Sequence, residues 1–151
     1  IIINSILFDN ENELKNIIKE LGSQAVVASV DYKVINKKAM CFKKFGAVNT
    51  NILLADFIKK IENLGVGEIF LQNIERDGTK EGFDIETIEI INKITSLPVI
   101  ACSGAGDDED FIEASKVQNL SAIAAGNYFN FKERSYPHVK KILKEKKINV
   151  R

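Results

Sequence analysis

The chain reads as an α/β protein built around a parallel sheet, and three features of its 151 residues predict this. Short apolar runs alternate with amphipathic stretches of helical period, five times over. The apolar runs show no inside–outside alternation, so they suit strands covered on both faces, as helical crossovers produce. Polar or small residues follow each run at once, and in a parallel sheet those strand ends share one rim.

Taken in order, "IIINSILF" (1–8) is the first strand, apolar and β-branched. "NENELKNIIKELG" places Leu14, Ile17, Ile18 and Leu21 at helical spacing, and Gly22 stops it. "QAVVASVD" is the second strand, and "AMCFKKF" after it reads as a short excursion. "ILLADFIKKIENLG" carries Leu54, Phe57, Ile58 and Ile61 on one face, with Gly65 behind them. "EIFLQNI" is the third strand. Asp84 is the expected N-cap of "DIETIEIINKIT", whose stripe is Ile85, Ile88 and Ile91 and which stops before Pro98. "PVIACS" is the fourth strand, and "DDEDFIEASKV" opens the next helix with acids in its first turn. "LSAIAAG" is the fifth strand. "SYPHVKKILKEKK" is the last helix, with Ser135 as cap and Pro137 near its first turn.

Two architectures fit five such units, an open doubly wound sheet and a (β/α)8 barrel; the chain falls short of the roughly 200 residues a barrel normally needs. With 45% hydrophobic and 28% charged residues, it is expected to be one globular domain with a sizeable core. Twenty-one basic residues balance twenty-one acidic ones, so bulk charge points to neither nucleic acid nor a membrane surface. The basic ending "KKILKEKKINVR" reads as the wet face of the last helix. No apolar run approaches the roughly 18 residues of a membrane span. The opening run is too short, and lacks the basic leader, of a signal peptide, so a cytoplasmic protein is expected. Cys41 and Cys102 are expected as reduced thiols. No His/Cys cluster has metal-binding spacing and there is no nucleophile elbow, so neither a metal nor another cofactor is expected. His138, on the last helix, is expected at the surface.

"LGSQAVVASVD" and "LGVGEIFLQNIE" repeat one theme: Leu-Gly, an apolar strand, then a carboxylate, Asp31 or Glu75. The residues that converge on the rim are Asn4 and Ser5, Asp31 and Lys33, Asn73 to Gly78, Ser103 to Gly106, and Gly126 with Asn127. Any one of them could simply cap a helix or a turn; five ends in succession favour a site. "ERDGTKEG" (75–82) is far more charged and glycine-rich than a plain connection requires. "CSGAGDDED" and "AAGNYFNF" set Gly104, Gly106 and Gly126 between strand and helix, where backbone N–H groups can approach an anion. Together they suggest a phosphate cradle, although neither is a dinucleotide fingerprint or a Walker loop. Asp31 follows an apolar strand directly. Partial desolvation there raises an acid's pKa and suits it to proton transfer; the alternative is a capping aspartate or one paired with Lys33.

"GSQAVVASVDYK", "GVGEIFLQNIERDGTKEGFD", "PVIACSGAG" and "AIAAGNYFNF" resemble the cyclase (synthase) subunit family of imidazole glycerol phosphate synthase, over essentially the whole chain. The run "RDGTKEGFD" with "SGAG" makes the match specific. The resemblance implies a (β/α)8 barrel of about 250 residues, of which residues 1–151 are a single partial domain that lacks the first three strands. It implies that Asp31 is one of two catalytic aspartates, the other lying on the missing first strand. It further implies that Asp77, Gly78, Gly104, Ala125 and Gly126 hold one phosphate of a small phosphorylated substrate, and that Asn4 and Ser5 help hold a second. Glu68 corresponds to a charged residue at an ammonia gate, with a rim salt bridge as the plain alternative. The implied partner is a glutaminase subunit, forming a heterodimer at the N-terminal face and passing ammonia through the barrel.

The departures lie on the ligand face. Glu75 stands where the family has an aspartate, "CSGAG" replaces "SGGAG", "FGAVNTN" loses the lysines and glycines of a covering loop, and "AAGNYFNF" is one residue longer. Similar changes mark second copies of this subunit that are associated with amidating acetamido sugars of surface polysaccharides. That reading stands as an alternative, as does an inactive fragment with only an assembly role.

Overall fold

The computed structural model describes residues 1–131 and 136–150. In chain order its elements are β1 (Ile2–Ile3), α1 (Ile6–Asp9), α2 (Glu11–Leu21), β2 (Val27–Ile35), β3 (Lys38–Lys43), β4 (Val48–Leu53) and α3 (Leu54–Leu64). They continue as β5 (Glu68–Asn73), α4 (Ile85–Ile94), β6 (Val99–Cys102), α5 (Asp108–Ser115), β7 (Leu120–Ala124), α6 (Asn127–Phe131) and α7 (Tyr136–Glu145). β1, β2, β5, β6 and β7 are parallel neighbours in sequence order, as the alternating pattern predicts.

Two expectations need correction. The short excursion at "AMCFKKF" is an antiparallel meander: β3 pairs with β2 from Asp31 to Ile35, and β4 pairs with β3. β2 thus changes partners along one edge, holding β1 at Val27 and Ala28 and β3 above them. The turn between β2 and β3 is only Asn36 and Lys37, both left-handed at φ 50° and 62°, the twist that two-residue hairpin loops need. The first strand is also shorter than its apolar run, because the chain leaves the sheet at Asn4 and Ile6–Asp9 becomes helical.

Register assigns the faces. Ala28, Val30 and Tyr32 of β2, Ile69 and Leu71 of β5, and Val99 and Ala101 of β6 point one way and are at most 1% exposed. They form one core with Leu14 of α2, Phe57, Ile58 and Ile61 of α3, Ile88 and Ile91 of α4, Phe111 and Ile112 of α5, and Val139 and Leu143 of α7. Burying each large apolar side chain contributes about 1.5–3 kcal/mol. The helices therefore lie on one side of the sheet. The other face, with Val27, Ser29, Phe70, Gln72, Ile100 and Cys102, is only half-buried, which a doubly wound sheet would not leave open.

Helix ends follow the sequence closely. Asp84 caps α4 by accepting from Thr87 N, and α5 begins with a reciprocal box between Asp107 and Asp110. Leu21 is an exception: α2 buries Leu14 and leaves Leu21 half exposed at its C-terminal end. The expected cap Ser135 lies outside the described residues.

Candidate active site on the open face and rim

Strand pairing sets the open face in rows. The lowest holds Val27 and Glu68; the next holds Ser29, Phe70, Ile100 and Ala122; the highest holds Asp31, Gln72, Cys102 and Ala124, with Phe42 on the far side of Asp31. Asp31 is 8% exposed. Burial raises its carboxyl above the usual aspartate value, and the Asn4 side chain partly offsets that. Asn4 is placed by its own amide, which donates to Ser29 O at 3.0 Å, and Ser5 Oγ lies 3.5 Å from Asn4 Oδ1. The end of β1 and the middle of β2 therefore bring Asn4, Ser5 and Asp31 together. Lys33 makes no ion pair with Asp31 among the described residues; its ammonium sits 4.8 Å from the centre of the Phe42 ring. Gln72, beside Asp31 in the row, was not singled out by the sequence, because one glutamine in an apolar run gives no sign of what it will face.

The charged connection 75–82 is a built structure. Asn73 Oδ1 accepts from Glu75 N and Arg76 N at 3.1 and 3.3 Å. One guanidinium nitrogen of Arg76 donates to the carbonyls of Glu81, Gly82 and Phe83 at 3.2, 3.1 and 3.2 Å, closing the loop on itself. Beneath it, the Asp84 carboxylate accepts from Tyr32 Oη and Asn73 Nδ2, both at 3.0 Å. The loop is stitched to the next strand end by Gly82 N donating to Gly104 O at 2.9 Å. That approach requires glycine: Gly104 has φ +99°, and a Cβ there would lie 2.0 Å from Gly82 O.

Between these loops and the end of β7 lies a cleft of about 280 Å³. Asp77, Gly78, Gly104, Ala125 and Gly126, the five residues expected around one phosphate, all line it, joined by Lys80, Ser103 and Asn127. The N–H groups of Gly78 and Gly104 find no acceptor among the described residues. Gly126 differs from Gly104: its backbone is ordinary and a Cβ would meet nothing within 4 Å. Larger clefts, of about 690, 790 and 540 Å³, lie away from these residues, beside the β2–β3 turn, along β7 and α7, and on α7 itself.

Asn4 and Ser5 sit across the sheet from this cleft, on the β1 side of Asp31. Glu68 opens β5 at the opposite rim, half-buried and without an ion pair among the described residues, so the rim salt bridge is not found. His138 is less free than expected: its Nε2 lies 3.2 Å from Asp108 Oδ2, and the Tyr128 hydroxyl donates to the other oxygen of the same carboxylate. Cys41 and Cys102 are free thiols, and burial pushes Cys41 up to about 12. Among the described residues no group of three or more His, Cys, Asp or Glu could hold a metal, and no helix is long and apolar enough to cross a membrane.

Residues 1–135 match the family described as histidine biosynthesis protein. The imidazole glycerol phosphate synthase subunit HisF of Hydrogenobaculum sp. is 39% identical over 150 residues, covering 99% of this chain and 60% of that protein. The same subunit of Thermotoga sp. is 41% identical over 149 residues, covering 99% and 58%. That of Sulfurisphaera tokodaii is 39% identical over 149 residues, covering 99% and 59%. The chain thus spans about three fifths of the length of these relatives. A match that takes in every strand of the sheet and every residue of the rim places this chain in the histidine biosynthesis protein family.

Proposed function

We propose that the protein is the cyclase subunit of imidazole glycerol phosphate synthase, working with a glutaminase subunit in the cytoplasm. The observation that carries this reading is a buried Asp31, its carboxyl raised above the ordinary aspartate value by burial, on the same rim as a glycine-lined cleft. Asp31 acts as general acid/base: burial that disfavours the charged carboxylate raises its pKa and suits the group to giving and taking a proton. The cleft at Gly78, Gly104 and Gly126 binds one phosphate of a small phosphorylated substrate through backbone N–H groups, with Asp77 and Ala125 shaping its wall. Asn4 and Ser5 approach the second phosphate from the other side of Asp31, so the substrate lies across the row Asp31–Gln72–Cys102. No cofactor takes part.

Ammonia from the glutaminase enters at the opposite rim, where Glu68 stands at the foot of the open face as a gate. The five parallel strands are the later part of a (β/α)8 barrel, whose missing strands cover the half-buried face and bring the second catalytic aspartate. The greater length of the relatives supports this.

The test is Asp31→Asn in the full-length protein, assayed with its glutaminase or with free ammonium. The isosteric amide is expected to lower kcat by roughly 10²–10⁴ while substrate binding is largely kept. The histidine-pathway ribonucleotide and an acetamido sugar are run side by side. Turnover of the sugar alone, or full activity of Asp31→Asn, overturns the proposal.

A further inference from the structure

The turn between β3 and β4, residues 44–47, overhangs the row that holds Asp31. Lys33 and Ile74 stand two positions beyond Asp31 and Gln72, so their side chains rise from the same open face, one row higher. Gly46 backs onto both of them. A Cβ there would lie 2.6 Å from Ile74 Cδ1 and 3.8 Å from Lys33 Cε. The base of the hairpin is fixed: Lys43 Nζ pairs with Asp9 at the end of α1, and Ala47 N donates to Lys44 O at 3.1 Å. The tip thus reaches from β3 past β2 to the end of β5, above Asp31 and Gln72.

Phe45, at that tip, is held there at two costs. Its ring is fully exposed and joins no part of the apolar core. Its φ is 56°, and Lys44 and Gly46 on either side are left-handed too, at 54° and 80°. A bulky side chain is an outlier in that region, where asparagine or glycine would close the turn freely. Strained backbone of this kind gathers at ligand clamps.

We infer that Phe45 is a specificity-determining residue, its ring stacking on the flat imidazole ring of the molecule formed above Asp31. This rests on the proposed reading of the chain as the cyclase subunit of imidazole glycerol phosphate synthase. A phenyl ring offers no hydrogen bond, so it has nothing to give a phosphate or a hydroxyl. The imidazole ring is the one flat π surface of imidazole glycerol phosphate, and offset stacking of two such rings suits it. The class of group selected is a planar aromatic heterocycle, and a puckered sugar ring fits the same surface less well.

Calorimetric titration of the full-length protein with imidazole glycerol phosphate and, separately, glycerol 3-phosphate tests this, because the second probe keeps the phosphate and lacks the ring. Phe45→Ala is expected to bind the first about tenfold more weakly and the second as the parent does. Phe45→Tyr, which keeps the π face, is expected to restore the affinity. Without ligand, Phe45→Ala is expected to melt with the parent, since the ring packs on nothing. Equal binding of imidazole glycerol phosphate by the parent and Phe45→Ala overturns the role of Phe45 and leaves the cyclase reading intact. Equal weakening for both probes also overturns it, as does a clearly lower melting temperature, which would show the ring covered by the rest of the protein. A parent that binds neither probe overturns the cyclase reading itself, and this inference with it.

Discussion

Asp84→Ala is expected to destabilise the protein by about 3–4 kcal/mol, a large fraction of the roughly 5–15 kcal/mol that holds a typical domain together. The magnitude comes from three bonds to one carboxylate. Loss of the α4 cap to Thr87 N costs about 1 kcal/mol. Tyr32 Oη and Asn73 Nδ2 belong to residues only 1% and 3% exposed, and both donate to Asp84 Oδ2. Stranding a buried donor costs about 1–3 kcal/mol each. The lower end applies here, because the adjoining cleft, which Asn73 and Asp84 both line, gives water a way in. Urea denaturation followed by circular dichroism measures the total. A double-mutant cycle then isolates the tyrosine: once Asp84 is gone, Tyr32→Phe removes a stranded hydroxyl and is expected to be neutral or stabilising, whereas in the parent it is destabilising. A coupling of at least about 1 kcal/mol is expected. If Asp84→Ala costs under 1 kcal/mol, or Tyr32→Phe costs the same in both backgrounds, the carboxylate is not the anchor described above.

Two glycines of the cleft should separate fold from ligand. Gly104→Ala forces a Cβ to within 2.0 Å of Gly82 O, so a lower melting temperature and loss of phosphate binding are expected together. Gly126→Ala meets nothing within 4 Å, so melting is expected to stay unchanged while phosphate affinity falls; unchanged affinity would remove Gly126 from the site. Asp31 should tie stability to pH. Its carboxyl is raised above the ordinary 3.8, so the folded state holds a proton more tightly than the unfolded chain. The resulting stability is complete below 3.8 and is lost as pH rises through the folded-state value. Asp31→Asn is therefore expected to melt higher than the parent at neutral pH, with the gap closing in acid; a gap that widens in acid would contradict the burial effect.

Much of this architecture could be read from the chain because its causes are local. Apolar runs marked all five parallel strands, Asp84 stood where a cap must stand, and glycines marked the loops whose backbones touch. The meander was hidden for a physical reason. β4 is Val48–Leu53, "VNTNIL", mostly exposed, and an edge strand of that kind carries no apolar signal. Its companion turn uses Asn36 and Lys37 rather than the Asn-Gly that announces a hairpin. The three-carbonyl clamp of Arg76 was illegible because an arginine in a charged loop looks solvated whether or not it folds back. The contact of His138 with Asp108, thirty residues earlier in the chain, belongs to tertiary packing and has no signature in spacing. Ser103 was visible as a rim residue and as a departure from a glycine; its left-handed backbone needed coordinates.

The meander also bears on the order in which the chain folds. β2 meets β3 across a two-residue turn, so that pairing needs little loop closure and falls in the range of about 1–10 μs. Its parallel neighbour β5 arrives only after β3, β4 and α3 have been threaded past it, and β6 and β7 each wait on another crossover. The upper half of β2 is thereby straightened early by a local partner, and Asp31 is set in register opposite Phe42 before the sheet around it exists. Substitutions in the Asn36–Lys37 turn should slow refolding, while trimming Ile69 or Val99 in the later strands should chiefly hasten unfolding. The strand that carries the acid thus has in β3 the most local of its three partners, and in β5 one that comes only after a crossover.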